Sequence, residues 1–165
     1  MIQVRPAEPG DIPEVLRLIH ALAVYEREPN AVMAKAEDLS ASLFPTDREP
    51  LVGCLVAQSD DVIVGIALSF VTFSTWEGRH GLHLEDLFVQ PDHRGLGVGR
   101  SLISALATEA VGRGYRRLEW SVLDWNEPAR SFYSSLGAVP MDDWIPYRLS
   151  GAALRALAGD GGAAR

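Results

Sequence analysis

The chain holds one cysteine, Cys54, in 165 residues. No internal disulfide can form, which predicts a reducing compartment and a cytoplasmic location. Cys54 lies in an apolar run and reads as a small hydrophobe rather than a nucleophile. Basic residues are in deficit, with 15 Lys and Arg against 22 Asp and Glu and a net charge of −7. A broad basic face for nucleic acid is therefore excluded, and the acidic balance leans toward a cationic small molecule. The longest near-apolar run, Val62–Phe73, is too short for a membrane helix and contains Gly65, Ser69 and Thr72. The first residues, Met1–Pro6, lack a basic segment followed by an apolar one, so no signal peptide is expected. Helical His pairs are absent, and His80, His83 and Glu85 lack a fourth ligand, so no metal is expected. Ser131 and Ser134 have no evident His and acid partners, which leaves a hydrolase triad unsupported. There is no internal repeat.

What the chain does have is concentrated between Leu82 and Arg100. An apolar strand, Leu82–Gln90, runs into Pro91-Asp92-His93 and then into Arg94-Gly95-Leu96-Gly97-Val98-Gly99-Arg100. Glycines let the backbone approach a ligand closely, and the N–H groups of the helix that follows favour an anion. The dinucleotide fingerprint and the triphosphate-binding loop need different spacings and endings, so neither fits. Arg94 and Arg100 bracket amides suited to a pyrophosphate. On the strand, period-two alternation puts His83, Glu85 and Leu87 on one face and Leu84, Asp86 and Phe88 on the other, unless a bulge intervenes. Two adjacent carboxylates in an apolar strand are unfavourable unless solvated, paired or used.

Elsewhere the patterning predicts a strand at Ile2–Arg5 and a helix from Ile12 to Glu26, started by Asp11 with Pro13 and Glu14 in its first turn. Glu26 opposes the dipole at that helix's end, so helix stability does not explain it. A short helix at Ala36–Leu43, strands at Leu51–Ala57 and Val62–Phe73, and a turn carrying Trp76 follow. After the Gly97–Gly112 helix come a strand at Arg117–Leu123 and a helix begun by Trp125-Asn126-Glu127-Pro128 and stopped by Gly137. A strand around Trp144–Leu149 and a helix over Ser150–Ala158, capped by Ser150, complete the order. This predicts a single domain over residues 1–158, a mixed α/β fold with helices packed on a mixed sheet, and a disordered Gly/Ala-rich tail at Gly159–Arg165. Trp76, in a loop beside Glu77, is a candidate lid over a ligand.

Gln90–Gly99 resembles the acetyl-coenzyme A loop of the GNAT superfamily of N-acetyltransferases, and Asn126–Ala138 resembles that family's other cofactor-facing signature. Ala23-Val24-Tyr25-Glu26, Leu84–Val89, the Arg94 loop and Trp125–Pro128 together are similar to the diamine (spermidine/spermine) and thialysine acetyltransferase group. The resemblance implies a mostly antiparallel central sheet with helices on both faces and a splayed strand pair that receives acetyl-coenzyme A. It implies donor contacts from Leu87, Phe88 and Val89, from Arg94, Gly95, Leu96, Gly97, Val98, Gly99 and Arg100, and from Asn126, Glu127, Pro128 and Ala129. Tyr133 would protonate the departing thiolate, and Glu85 would take the proton of the amine. Tyr25, Glu26, Glu85 and Asp86 would line the acceptor site; Trp76 joins them only as the candidate lid read from its loop. The implied reaction is direct acetyl transfer to a small cationic amine, in a homodimer without nucleic-acid or membrane partners. Ile145 stands where the group often has a basic residue, and His83 where an aromatic is frequent; both put spermidine and spermine in question. A protein or peptide N-acetyltransferase and a non-catalytic acetyl-coenzyme A-binding module are the alternatives.

Overall fold

A computed structural model describes residues 1–159; the tail expected at Gly159–Arg165 lies outside them from residue 160 on. The chain divides into two compact units, Met1–Trp125 and the residues from Asn126 onward.

The first unit is built on a five-stranded sheet in sequential order, β1 (Ile2–Pro6), β2 (Val52–Ser59), β3 (Val62–Ser74), β4 (Arg79–Val89) and β5 (Leu118–Trp120). The first four strands pair antiparallel, and β4 and β5 pair parallel over Leu82–Leu84 and Leu118–Trp120. Helices α1 (Ile12–Tyr25) and α2 (Ala36–Leu43) cover one face. There Ile12, Val15, Leu18 and Leu43 pack with Cys54, Val56, Ile66, Leu68 and Phe88. Helix α3 (Val98–Gly112) covers the other, burying Val98, Leu102, Ile103, Leu106 and Ala110. Gly65 of β3 makes this contact possible, because a Cβ there would meet Val98 and Leu102 at 3.3 Å.

Three local features differ from the pattern read in the sequence. Asp11 makes no side-chain cap on α1. Its carboxylate instead accepts from the Glu8 N–H at 2.8 Å and from Arg5 at 2.6 Å, tying β1 to the helix entry. Strand β5 ends at Trp120 rather than Leu123, because its partner β4 leaves the pairing after Leu84. Among the described residues no strand forms at Trp144–Leu149; Pro146 removes a backbone donor there, and the segment is exposed.

In the second unit, α4 (Glu127–Ser135) starts where the sequence indicates. The Asn126 side-chain oxygen accepts from the Ala129 N–H, and Pro128 sits in the first turn. Gly137, at φ 86°, ends the helix, with Ala138 N–H donating back to the Tyr133 carbonyl. Helix α5 (Gly151–Leu157) follows; Ser150 occupies the cap position without a side-chain capping bond.

Candidate active site

The site grows from a bulge in β4. Leu68 of β3 pairs with Asp86 and Ser69 pairs with Leu84, so Glu85 is the extra residue. The bulge reverses the alternation at that point. Leu84 falls on the α3 face, whereas Asp86 shares the α1 face with its partner Leu68 and with Phe88. His83 also lies on that face, its ring stacked on Phe70 at 4.9 Å. The expected grouping of Leu84 with Asp86 and Phe88 is thereby corrected.

The bulge also opens the sheet. Beyond Leu84 and Trp120 no pairing joins β4 to β5, leaving the Glu85–Val89 edge of β4 free on that side. Gln90 N–H donates to the Val64 carbonyl, which sets the phase of the β3–β4 ladder. By the antiparallel alternation, the main-chain groups of Leu87 and Val89 then point toward the gap and those of Phe88 toward β3. Phe88, which the resemblance also assigns to the donor, is 5% exposed with its ring in the core.

Directly after this edge, Gly95 (φ 74°) and Gly97 (φ 84°) adopt left-handed backbone that other residues reach only with strain. Neither would bring a Cβ within 4 Å of another group, so the concave side of the turn is open. Gly97 is the N-cap of α3. The first-turn N–H groups of Val98, Gly99 and Arg100 have no intrahelical acceptors, and the helix dipole adds positive potential there. The open turn and these donors fit a pyrophosphate. Arg100 is exposed beside them, as is Leu96. The Arg94 side chain makes contacts within the protein: its Nε donates to the Val89 carbonyl at 2.9 Å, and its guanidinium carbon lies 4.7 Å from the Tyr25 ring centre and 5.5 Å from that of Phe88.

Acidic groups gather on the other side of the strand end. The Asp86 carboxyl is pushed up to about 6, first by burial and then by repulsion from Glu85 and Glu26. Glu26 is the C-cap of α1, and burial raises its own pKa. The negative end of the α1 dipole lies in the same place. Three carboxylates and a helix C-terminus form a region that gains from a cation. Glu85 itself is largely exposed, with its carboxylate 3.8 Å from His83 Nε2. Tyr25 stands next to Glu26, with its ring centre 6.2 Å from that of Trp125, and Trp125 in turn is covered by the Arg27 guanidinium at 4.3 Å. The Cys54 thiol is pushed up to about 12 by burial, which removes it as a nucleophile.

Tyr25, Glu26, Glu85 and Asp86 thus meet within the first unit, beside the unpaired edge of β4. Tyr133 and Asn126–Ala129 belong to the second unit, on α4 and its cap; the rings of Tyr133 and Phe132 lie 5.3 Å apart. Trp76 does not join the acidic cluster within this chain. It is 89% exposed in the β3–β4 turn, and Asp86 lies further along β4 by roughly 23 Å of strand. The contacts of Arg27 with Trp125 and of Arg94 with Tyr25 were not visible in sequence, since they join segments far apart in the chain. Among the described residues no group of three or more His, Cys, Asp or Glu is arranged to hold a metal, and no helix is long and apolar enough to cross a membrane.

A glycine turn at a helix start, next to a strand edge released by a bulge, is the arrangement that the GNAT resemblance implies for proteins that bind an acylated coenzyme. Residues 17–138 match the acetyltransferase (GNAT) family model. The thialysine N-epsilon-acetyltransferase of Bos taurus is 37% identical over 96% of this chain and 98% of its own length. The L-ornithine N5-acetyltransferase of Arabidopsis thaliana is 29% identical, over 94% of this chain and 87% of its own. Among solved structures, an integron cassette protein from the V. cholerae mobile metagenome superposes with a TM-score of 0.79 at 26% identity, covering 96% of this chain and 98% of that one. The chain belongs to the GNAT acetyltransferase family. More narrowly, it is an acetyl-coenzyme A-dependent N-acetyltransferase.

Proposed function

We propose that this enzyme transfers the acetyl group to the primary amine of a small cationic acceptor, of the thialysine, ornithine or short diamine kind. The observation that carries this reading is the Glu26–Glu85–Asp86 cluster beside the free edge of β4, with Asp86 pushed up to about 6 by burial and then by repulsion from Glu85 and Glu26. An alkylammonium entering there relieves that repulsion. The amino acid and thialysine acetyltransferases among its relatives support the same acceptor class.

The residues divide the work as follows. Acetyl-coenzyme A supplies the activated acetyl group. The amides of Val98, Gly99 and Arg100, with Gly95–Gly97 leaving room, hold its pyrophosphate. Leu87 and Val89 offer main-chain groups along the gap to the acyl arm. An N–H on that edge stabilises negative charge developing on the carbonyl oxygen under attack. Asp86 and Glu26 bind the ammonium, whose pKa near ~10 keeps it protonated at neutral pH. Glu85, exposed at the bulge, takes the proton directly or through water before the nitrogen attacks. Tyr133 donates its phenolic proton to the leaving thiolate. Asn126 and Glu127–Ala129 contact the donor, as the family signature they carry implies. The family match runs across the boundary between the two units, which supports one acetyltransferase domain over residues 1–158. A cytoplasmic homodimer completes the proposal, to be tested by sedimentation and cell fractionation.

Isotopic acetyl transfer to thialysine, ornithine, putrescine, spermidine and a set of peptides tests the acceptor class. Labelled product is expected with free small amines. Labelling of peptides alone, or of nothing despite coenzyme A binding, would overturn the reading.

A further inference from the structure

Arg94 opens the glycine turn, yet its side chain is committed elsewhere. The Nε–H holds the Val89 carbonyl at 2.9 Å, on the edge of β4 that faces the gap. Over the ring of Tyr25, the last residue of α1 and the neighbour of Glu26, the guanidinium carbon sits 4.7 Å from the ring centre. It also reaches the Phe88 ring at 5.5 Å, on the strand between Asp86 and Val89. From Tyr25 the aromatic contacts continue through the tilted Trp125 ring to Arg27. One side chain therefore touches the donor edge, the strand that carries Asp86, and the aromatic wall beside Glu26.

We propose that Arg94 is a positioning residue for the acceptor rather than a phosphate ligand. It clamps the glycine turn to Tyr25, so the placement of Glu26 and Asp86 depends on the geometry of the donor loop. The fork of a guanidinium suits this role: one N–H bonds the carbonyl while the flat face lies on a ring. A lysine keeps the charge but has no planar face to stack while bonding the carbonyl. Binding at the two sites is then coupled, and by linkage each ligand strengthens the other. This inference rests on the acidic cluster being the acceptor site.

The experiment compares Arg94→Lys, Tyr25→Leu and the double variant with the wild type. Coenzyme A affinity is read by titration calorimetry, and the acceptor KM by steady-state kinetics with the best amine of the panel. For Arg94→Lys, coenzyme A affinity is expected to change less than about threefold while acceptor KM rises on the order of tenfold, the size of a lost cation–π contact with its hydrogen bond. Tyr25→Leu in that background should add little, because the two residues act as a unit. A tenfold loss of coenzyme A affinity with unchanged acceptor KM would make Arg94 a phosphate ligand and overturn the proposal. So would fully additive effects, or no effect on either constant. If the wild type binds coenzyme A but acetylates no amine, the acceptor reading itself fails. Arg94 is then judged on calorimetry alone: unchanged affinity in Arg94→Lys sustains its release from phosphate binding, and a tenfold loss refutes it.

Discussion

Asp86 offers the sharpest test of the acceptor site. Its carboxyl is pushed up to about 6 by burial and by two neighbouring carboxylates. Moving a carboxyl from its usual value near ~3.9 to about 6 costs the charged form roughly 3 kcal/mol. A bound ammonium recovers part of that cost. Asp86→Asn should therefore lower kcat/KM for the amine by up to about a hundredfold while leaving coenzyme A affinity nearly unchanged. The pH profile carries a second signature. Below pH 6 the wild-type Asp86 takes up a proton and the acceptor loses its anchor, so kcat/KM should show an acid limb near pH 6. Glu85→Gln and Glu26→Gln each remove a repulsion, so each should move that limb to lower pH. The Glu85 substitution should move it further, as Glu85 exerts the larger repulsion. The stability sign runs opposite to the activity sign. A raised carboxyl stabilises the fold fully below about pH 4, and that contribution is lost as pH rises through 6. Asp86→Asn should then be more stable than the wild type at pH 7 while being less active. Kinetics across pH 5–9 and thermal unfolding at pH 4 and 7 measure both. An acid limb that stays put in Glu85→Gln, or wild-type kinetics in Asp86→Asn, would refute the reasoning.

The other expected outcomes are simpler. Tyr133→Phe should reduce kcat by at least tenfold with little change in the calorimetric affinity for coenzyme A, and an unchanged kcat removes it as the acid. Gly97→Ala puts a side chain at φ 84°, costing about 1–2 kcal/mol of stability, and should weaken coenzyme A binding measured on the folded protein. Asp11→Asn breaks the bond to Arg5, which holds the Asp11 carboxyl below its usual value. That stabilisation is present above about pH 4 and lost as pH falls through the lowered value. The difference in Tm between wild type and Asp11→Asn should therefore shrink on acidification.

Much of the framework was legible because it follows local rules. The Gly95–Gly99 turn needs left-handed backbone at Gly95 and Gly97, and glycine advertises that need in sequence. Asn126, Pro128 and Gly137 mark the ends of α4 by capping chemistry alone. Glu26 stands out because a carboxylate at a helix C-terminus has no local reason to be there, whereas Tyr25 is assigned by the resemblance alone. The bulge at Glu85 was foreseen only as a possibility, since it is a property of two paired strands. It decides which side of the sheet Asp86 faces, so the face of each carboxylate was beyond a period-two reading. The strand expected at Trp144–Leu149 rested on composition, which is silent about a pairing partner. Trp76 is grouped with the acceptor as a lid from its place in a loop beside Glu77, while strand length sets it at the opposite end of β4. Arg94 read as a phosphate ligand from its place in the loop; its stacking on Tyr25 is a long-range contact that spacing does not reveal.

A crystal structure of the ternary complex, with coenzyme A and a non-reactive analogue of the best amine, would show whether the carboxylates hold the acceptor beside the β4 edge. The account expects the pyrophosphate on the amides of Val98–Arg100, the acyl arm along the Leu87–Val89 edge, and the amine nitrogen within hydrogen-bonding distance of Asp86 or Glu26. An amine seated away from all three carboxylates, or a coenzyme that bypasses the gap beside β4, would contradict it.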